Sequence, residues 1–259
     1  MALVHSSHVV EAAARVYRRT WRASVISTFF NPVLYLLAMG VGLGKLVDEG
    51  SGAANLGNLE YLTFLAPGLL AATAMMTGAG DAAYPVMAGI KWRKTYEAIL
   101  ATPVGIPELV IGHLSWVGIR LVFVTVVYSG VMTAFGATTI AQGALAVPPA
   151  VLTGLGFSAI VTAYTARLRD EQGLAALFRF GIMPLFLFSG TFFPISQLPA
   201  WVQPVAYATP LYHGVSLCRG LALGTGFEVN PIVSVGYLAA LLVIGTILAT
   251  RLMRRRLIK

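Results

Sequence analysis

Charged positions cut this chain into long apolar stretches. From Ala23 to Gly44 no residue is charged, and Lys45 ends the run. Within it, Asn31-Pro32 predicts a kink, because proline removes a backbone donor and crowds the preceding turn. A second stretch runs from Tyr61 to Gly80, between Glu60 and Asp81. A third starts near Glu108 and reaches Phe135, interrupted by Arg120. No charge occurs from Leu121 to Thr165, so two helices share that region, with Gly136–Gly143 followed by Pro148-Pro149 as the predicted turn. A fifth stretch begins near Gly173 and carries Pro184; a sixth runs from Val229 to Thr250. Each is close to the ~20 residues that cross a bilayer as a helix. The reading is all-α: six transmembrane helices, with both chain ends on one side.

Two segments follow other patterns. In residues 1–22, Val9, Val10, Ala13, Val16 and Tyr17 recur at helical spacing while the arginines take other faces. That suits an amphipathic helix along the membrane interface, its basic side near lipid headgroups. A plain snorkelling anchor fits the same pattern. Residues 194–230 are apolar and aromatic but broken by Pro194, Pro199, Pro204 and Pro210. Irregular backbone at membrane depth persists only where protein or water satisfies its polar groups, so short re-entrant helices are expected there.

Composition agrees. Apolar residues make up 57% and charged residues 11%, against roughly 25% charged in an average soluble domain. A soluble enzyme, a disordered chain and a coiled coil are excluded. The absence of a linker or repeat makes residues 1–259 a single membrane domain. The net charge of +8 is informative through its distribution. Fifteen of the eighteen Lys and Arg residues fall in the N-terminal segment, the second-to-third connection, the fourth-to-fifth connection and the tail. The positive-inside rule places those segments, and both termini, in the cytoplasm. The charge therefore reports topology, and nucleic acid is not an expected partner. No cleavable signal peptide is evident, and the first apolar run reads as a retained span. Cys218 is the sole cysteine, which leaves no internal disulfide or zinc cluster.

Few residues promise chemistry. Gly42-Leu43-Gly44-Lys45 is no phosphate loop: position 39 is Met and position 46 is Leu, where the nucleotide pattern needs Gly and Ser or Thr. Ser158, with His113 and His213 elsewhere, raises an intramembrane serine hydrolase, which requires a histidine within hydrogen-bond reach of the serine. No group has metal-ligand spacing. Arg120 alone lies well inside a span, where it needs a partner and marks either an inter-helix tie or a substrate contact; Asp81 is the possible partner. Asp81 and Glu108 sit at span ends, which weakens an ion-gradient-driven carrier. Residues 84–107 read as a basic amphipathic connection bracketed by Pro85, Pro103 and Pro107. There Trp92, Tyr96, Ile99 and Leu100 form an apolar stripe, and Arg93 and Glu97 are spaced for an ion pair.

Three segments resemble a known family. KWRKTYEAILATPV (91–104) is similar to the cytoplasmic Glu-x-Leu-Leu-x-Thr-Pro segment of type-two ABC exporter permeases, with Glu97, Thr102 and Pro103 matching. FLFSGTFFPISQLPAW (186–201) resembles their Ser-Gly-x-x-Phe-Pro-x-x-x-Leu-Pro signature through Ser189, Gly190, Phe193, Pro194, Leu198 and Pro199. PLYHGVSLCRGLALG (210–224) resembles their Pro-Leu-x-His-x-x-x-x-x-Arg segment through His213 and Arg219. The likeness is to the nodulation lipo-oligosaccharide and daunorubicin-resistance branch. The sequence departs at Lys94, where many members carry Gly. The resemblance implies a dimeric permease of the bacterial cytoplasmic membrane, paired with a second permease copy or relative and seated on separate ATPase subunits that hold ATP and Mg; this chain itself would bind no cofactor. It implies a coupling helix over 91–101, with Trp92, Arg93, Lys94, Glu97, Thr102 and Pro103 at the ATPase contact and a second contact from the N-terminal helix. A path for a lipid, glycolipid or drug-like substrate would lie between protomers along the second and fifth spans, with Met75, Met76, Arg120, Phe186 and Phe188 as lining candidates.

Overall fold

The long apolar stretches fold into helices that pack side by side. The computed structural model describes residues 2–49 and 59–258, and every regular element among them is helical. Helix α1 (Ala2–Tyr35) continues through a π-helical stretch (Leu36–Leu43) into α2 (Gly44–Asp48). Then come α3 (Tyr61–Met87) with a π turn at Ala88–Trp92, α4 (Thr95–Leu100), α5 (Ile106–Ala134) and α6 (Ile140–Arg167). Helices α7 (Gln172–Leu177) and α8 (Met183–Phe188) are joined by a π turn (Phe178–Ile182). A 3-10 turn (Ile195–Gln197), α9 (Gln203–Tyr207), α10 (Pro210–Leu223) and α11 (Pro231–Leu257) complete the chain. Residues 50–58 of the first connection, and Lys259 of the basic tail, lie outside the described residues.

Among the described residues, five helices are long and apolar enough to cross a membrane: Thr28–Asp48, Tyr61–Trp92, Ile106–Ala134, Ile140–Arg167 and Pro231–Leu257. The expected fifth span is shorter. Gln172–Phe188 rises about 25 Å at 1.5 Å per residue, less than the ~30 Å hydrocarbon core. Residues 2–22 continue into the first span as one helix, α1. One further expectation is corrected. The turn after α5 falls at residues 135–139, and Pro148 and Pro149 sit inside α6. The turn residues explain the difference. Gly136 takes a left-handed φ of 77°, and Thr139 caps α6 reciprocally with Gln142, a pairing that satisfies two otherwise orphaned donors.

Each π turn lies within about one helical turn of a proline: Pro32, Pro85 and Pro184. Proline cannot donate to the carbonyl four residues earlier, and the adjoining ladder shifts to i→i+5 spacing.

The core lies where α3, α5, α6 and α10 meet. Small residues let α3 and α6 approach backbone to backbone. A Cβ added at Gly78 would stand 2.1 Å from the Gly154 carbonyl oxygen, and one at Gly154 would stand 2.7 Å from the Ala74 carbonyl oxygen. Such close crossings replace the hydrophobic drive that helices lack in lipid. Buried polar ties reinforce it: Thr165 donates to the Ala82 carbonyl at 3.1 Å.

At the end of the bundle rich in Lys and Arg, the connections are bound together. Arg256 donates to the carbonyls of Ala166 (3.0 Å) and Leu168, closing the C-terminus of α6 with a cation, as the helix dipole favours. Lys91 reaches Glu171 at 3.5 Å, joining the α3–α4 and α6–α7 connections. At the far end, the Asp48 carboxylate accepts from the Tyr61 amide at 3.0 Å and so caps α3 across the first connection.

Candidate functional site

At the basic end, α3 continues past what a bilayer requires. The 32 residues from Tyr61 to Trp92 span about 48 Å, more than the ~30 Å hydrocarbon core, and the excess leads into α4. The chain turns at Lys94, whose φ of 50° and ψ of 28° lie in the left-handed region. That conformation costs an L-residue ~1–2 kcal/mol and costs glycine nothing sterically. The departure of this sequence from the family's Gly is therefore a departure at the one non-glycine position with positive φ among the described residues. Lys94→Gly is expected to raise stability by ~0.5–1 kcal/mol, the relieved strain less glycine's larger unfolded-state entropy. Lys94→Val should lower it. Thermal unfolding in detergent reads both signs.

Helix α4 is anchored on one face and open on the other. Tyr96 is buried, its ring lying so close to Gly89 that a Cβ there would meet it at 2.8 Å. Burial pushes the Tyr96 hydroxyl above its ordinary pKa, so it stays neutral. Ile99 and Leu100 pack beside it against a core that includes Ile106, Leu109 and Met253. Thr102 donates to the Ile99 carbonyl at 2.6 Å, closing the helix before Pro103. Arg93, Lys94, Glu97, Thr102 and Pro103 are exposed. Two details differ from the sequence reading. Trp92 ends the π turn that follows α3 and is 51% exposed, so it is not part of the buried stripe. Arg93 precedes the break at Lys94 and makes no ion pair with Glu97, since a helical i,i+4 relation never forms.

The N-terminal helix joins this region. Val9 packs on α5 at Gly112, where an added Cβ would come within 2.6 Å of it. Its solvent face carries Glu11 and Arg15 at 2.6 Å; that hydrogen bond lowers the Glu11 pKa. Farther along, Tyr17 meets Trp116 edge-on, with centroids 5.6 Å apart, and lies 5.4 Å from the Arg120 guanidinium. Arg120 pairs with Asp81 across α3 and α5. A half-buried ion pair of this kind makes an arginine tolerable inside a span.

The remaining lining candidates separate. Met75 is fully buried in the core and Met76 is packed half-buried against it. Phe186 lines a groove of about 660 Å³ with Tyr35, Met39, Tyr61, Phe192 and Gln197. Its ring meets Phe192 at 5.2 Å and Tyr35 at 6.3 Å, both edge-on. Phe188 points elsewhere, toward Phe180 and Val205. Arg120 and Phe186 thus face different cavities.

The segment from Ser189 to Leu223 holds residues whose roles sequence reasoning did not assign. Helix α10 is buried on nearly every side; Gly214 abuts Thr153, and Cys218 reaches the Ala146 carbonyl at 3.6 Å. Arg219, 7% exposed, donates to the carbonyls of Gly190 (2.9 Å) and Phe64 (3.3 Å), meets Glu228 at 3.4 Å, and stacks 3.8 Å over the Phe64 ring. Gly190 has φ of 78°, which explains glycine there. Two motif segments, joined by a contact between residues 29 positions apart, are therefore one clasp, held against the start of α3. The signal was present as an arginine in an apolar helix. His213 contacts Ser234 at 3.0 Å, and the Ser158 hydroxyl is buried without a hydrogen-bond partner among the described residues. The pair a serine hydrolase needs is not assembled.

Comparison with known proteins agrees with this architecture. Residues 8–223 match the model of the ABC-2 type transporter family. Nodulation protein J of Rhizobium meliloti is 30% identical over 241 residues, covering 93% of this chain and 89% of that protein. Nodulation protein J of Rhizobium leguminosarum bv. trifolii is 30% identical over 94% of this chain and 90% of its own length. The inner membrane transport permease YadH of Escherichia coli is 22% identical over 92% and 90%. With the match running from the N-terminal helix through the Arg219 clasp, the chain belongs to the ABC-2 transporter family as a membrane permease, a multi-pass subunit that has no ATPase activity of its own.

Proposed function

We propose that this chain is the membrane half of an ATP-driven exporter in the bacterial cytoplasmic membrane, moving an amphipathic lipid, glycolipid or drug-like molecule outward. The observation that carries the reading is α4: a short helix fixed on its apolar side by Tyr96 and presenting Glu97 on its exposed side at the basic end of the bundle. A rigid projection of that kind transmits force from a docked ATPase, which would hold ATP and Mg, while this chain holds no cofactor. ATPase closure would tilt α4 and the adjoining N-terminal helix and switch the bundle between two packings. Both termini would be cytoplasmic, in keeping with the Lys and Arg distribution. Gln172–Phe188 would supply the fifth of six crossings, with α9 and α10 as re-entrant helices beyond it.

The substrate path is assigned to the Phe186 groove, between the first span and α8, where a second permease copy or relative would close it. Aromatic and thioether surfaces accommodate varied amphiphiles. An ion-gradient-driven carrier is the contrasting reading, and it would work without nucleotide. Glu97→Gln tests the coupling role. Assembly with the ATPase subunit, or ATP-dependent transport, should fall about fivefold, ~1 kcal/mol, the scale of one exposed interfacial charge. Membrane insertion should stay normal. Unchanged assembly and transport would remove Glu97 from the contact.

A further inference from the structure

A second cavity, of about 630 Å³, lies between the N-terminal helix, the end of α3, α4 and α5. Its volume is that of a small-molecule site. The wall is unusual for a space between membrane helices. One side is apolar, formed by Val9, Ala13 and Val16. The other is polar: Arg93, Thr95, His113 about two turns into α5, and the Asp81–Arg120 pair. Two buried polar atoms on this wall, Asp81 Oδ2 and His113 Nε2, have no hydrogen-bond partner among the described residues. Buried polar groups left without a partner are costly. Tyr17, Tyr84, Trp92 and Trp116 also line it, the residue types that settle at headgroup level.

We propose that this cavity holds the headgroup of a resident phospholipid that is anionic and bears hydroxyls, wedged between the N-terminal helix and α4. The charge is complementary: Arg93, Arg120 and Asp81 sum to one positive charge, which a single phosphodiester neutralises. Arg93 supplies the fork that binds a phosphate in charge-assisted hydrogen bonds. Asp81 Oδ2, which can only accept, and His113 Nε2 are closed off by their neighbours, and a side-chain rotation into the cavity would let headgroup hydroxyls satisfy both. The acyl chains leave along the Val9–Val16 side. The lipid's leaflet rests on the cytoplasmic placement of the basic end; the binding itself does not depend on what the protein transports. Because α1 and α4 both line the cavity, the occupant also mortars the two elements proposed to meet the ATPase.

Trp92 and Trp116 line the cavity and report on it. In a Trp21→Phe, Trp201→Phe background, the full-length chain is reconstituted in vesicles of phosphatidylcholine containing brominated phosphatidylglycerol or brominated phosphatidylcholine at equal mole fraction. Brominated phosphatidylglycerol should quench at about fivefold lower mole fraction. Arg93→Gln, and Ala13→Phe that fills the apolar side, should each abolish that preference, with helicity and elution volume certifying the fold. Equal quenching by the two lipids overturns the proposal, as does a preference that survives both substitutions. Loss of the bound lipid on ATP turnover in the assembled transporter would make the occupant the transported molecule, and would likewise overturn it. Failure of the exporter reading leaves this binding result unaffected, so the two are separable.

Discussion

Arg219→Leu is expected to lower stability by about 3–5 kcal/mol and to abolish transport. Removing the guanidinium leaves the buried Gly190 carbonyl without its partner, which costs ~1–3 kcal/mol. It also removes a desolvated cation stacked on Phe64, worth ~2 kcal/mol. Against a total stability of ~5–15 kcal/mol, that is a large share. Arg219→Lys should recover little, because a single ammonium cannot reach Phe64, Gly190 and Glu228 with one planar fork. Glu228→Gln is the discriminating control. The Glu228 side chain is half exposed, so water screens its pairing and the loss should stay below ~1 kcal/mol. Thermal unfolding in detergent and limited proteolysis between Ser189 and Pro210 would measure the ranking. A Glu228→Gln loss equal to that of Arg219→Leu would assign the effect to the ion pair and remove the carbonyl account.

The second large effect comes from two glycines two positions apart on α3. Gly78→Ala should destabilise the protein by about 3 kcal/mol, because the new Cβ would be 2.1 Å from a backbone oxygen of α6 and neither helix has a flexible atom to yield. Gly80→Ala should stabilise it by up to ~1 kcal/mol: nothing lies within 4 Å of its Cβ position, and alanine has the better helix propensity. Opposite signs for one chemical change on one helix would show that close α3–α6 approach sets the core. Equal effects would contradict it.

Much of this architecture was legible in the sequence because bilayer helices are written as charge-free runs. The boundaries of α3 and α5 fall near the charges that bracket them, at Glu60 and Glu108. Proline misled in proportion to how far lipid-embedded helices tolerate it. Pro148-Pro149 looked like a turn but lies within α6, where neighbouring helices support the backbone. The Asp81 partner for Arg120 was readable, since few other charges were near. The Arg219 clasp was not. Its partners are main-chain carbonyls, which carry no side-chain signature, and Phe64 is 155 positions away in sequence. The split of Phe186 and Phe188 into different cavities depends on the rotation of α8 after the Phe178–Ile182 π turn, and helical periodicity alone does not set that rotation. At Lys94 the resemblance showed a departure, and the backbone angle supplied its meaning.

If a separate ATPase docked at the basic end drives this permease, the two should leave the native membrane together. On extraction in mild detergent, with the protein held through a C-terminal tag, an ATP-binding subunit should co-purify and hydrolyse ATP, and Glu97→Gln should weaken that association. Purification without any nucleotide-binding subunit, together with solute uptake into vesicles on an ion gradient in the absence of ATP, would contradict ATP-driven transport.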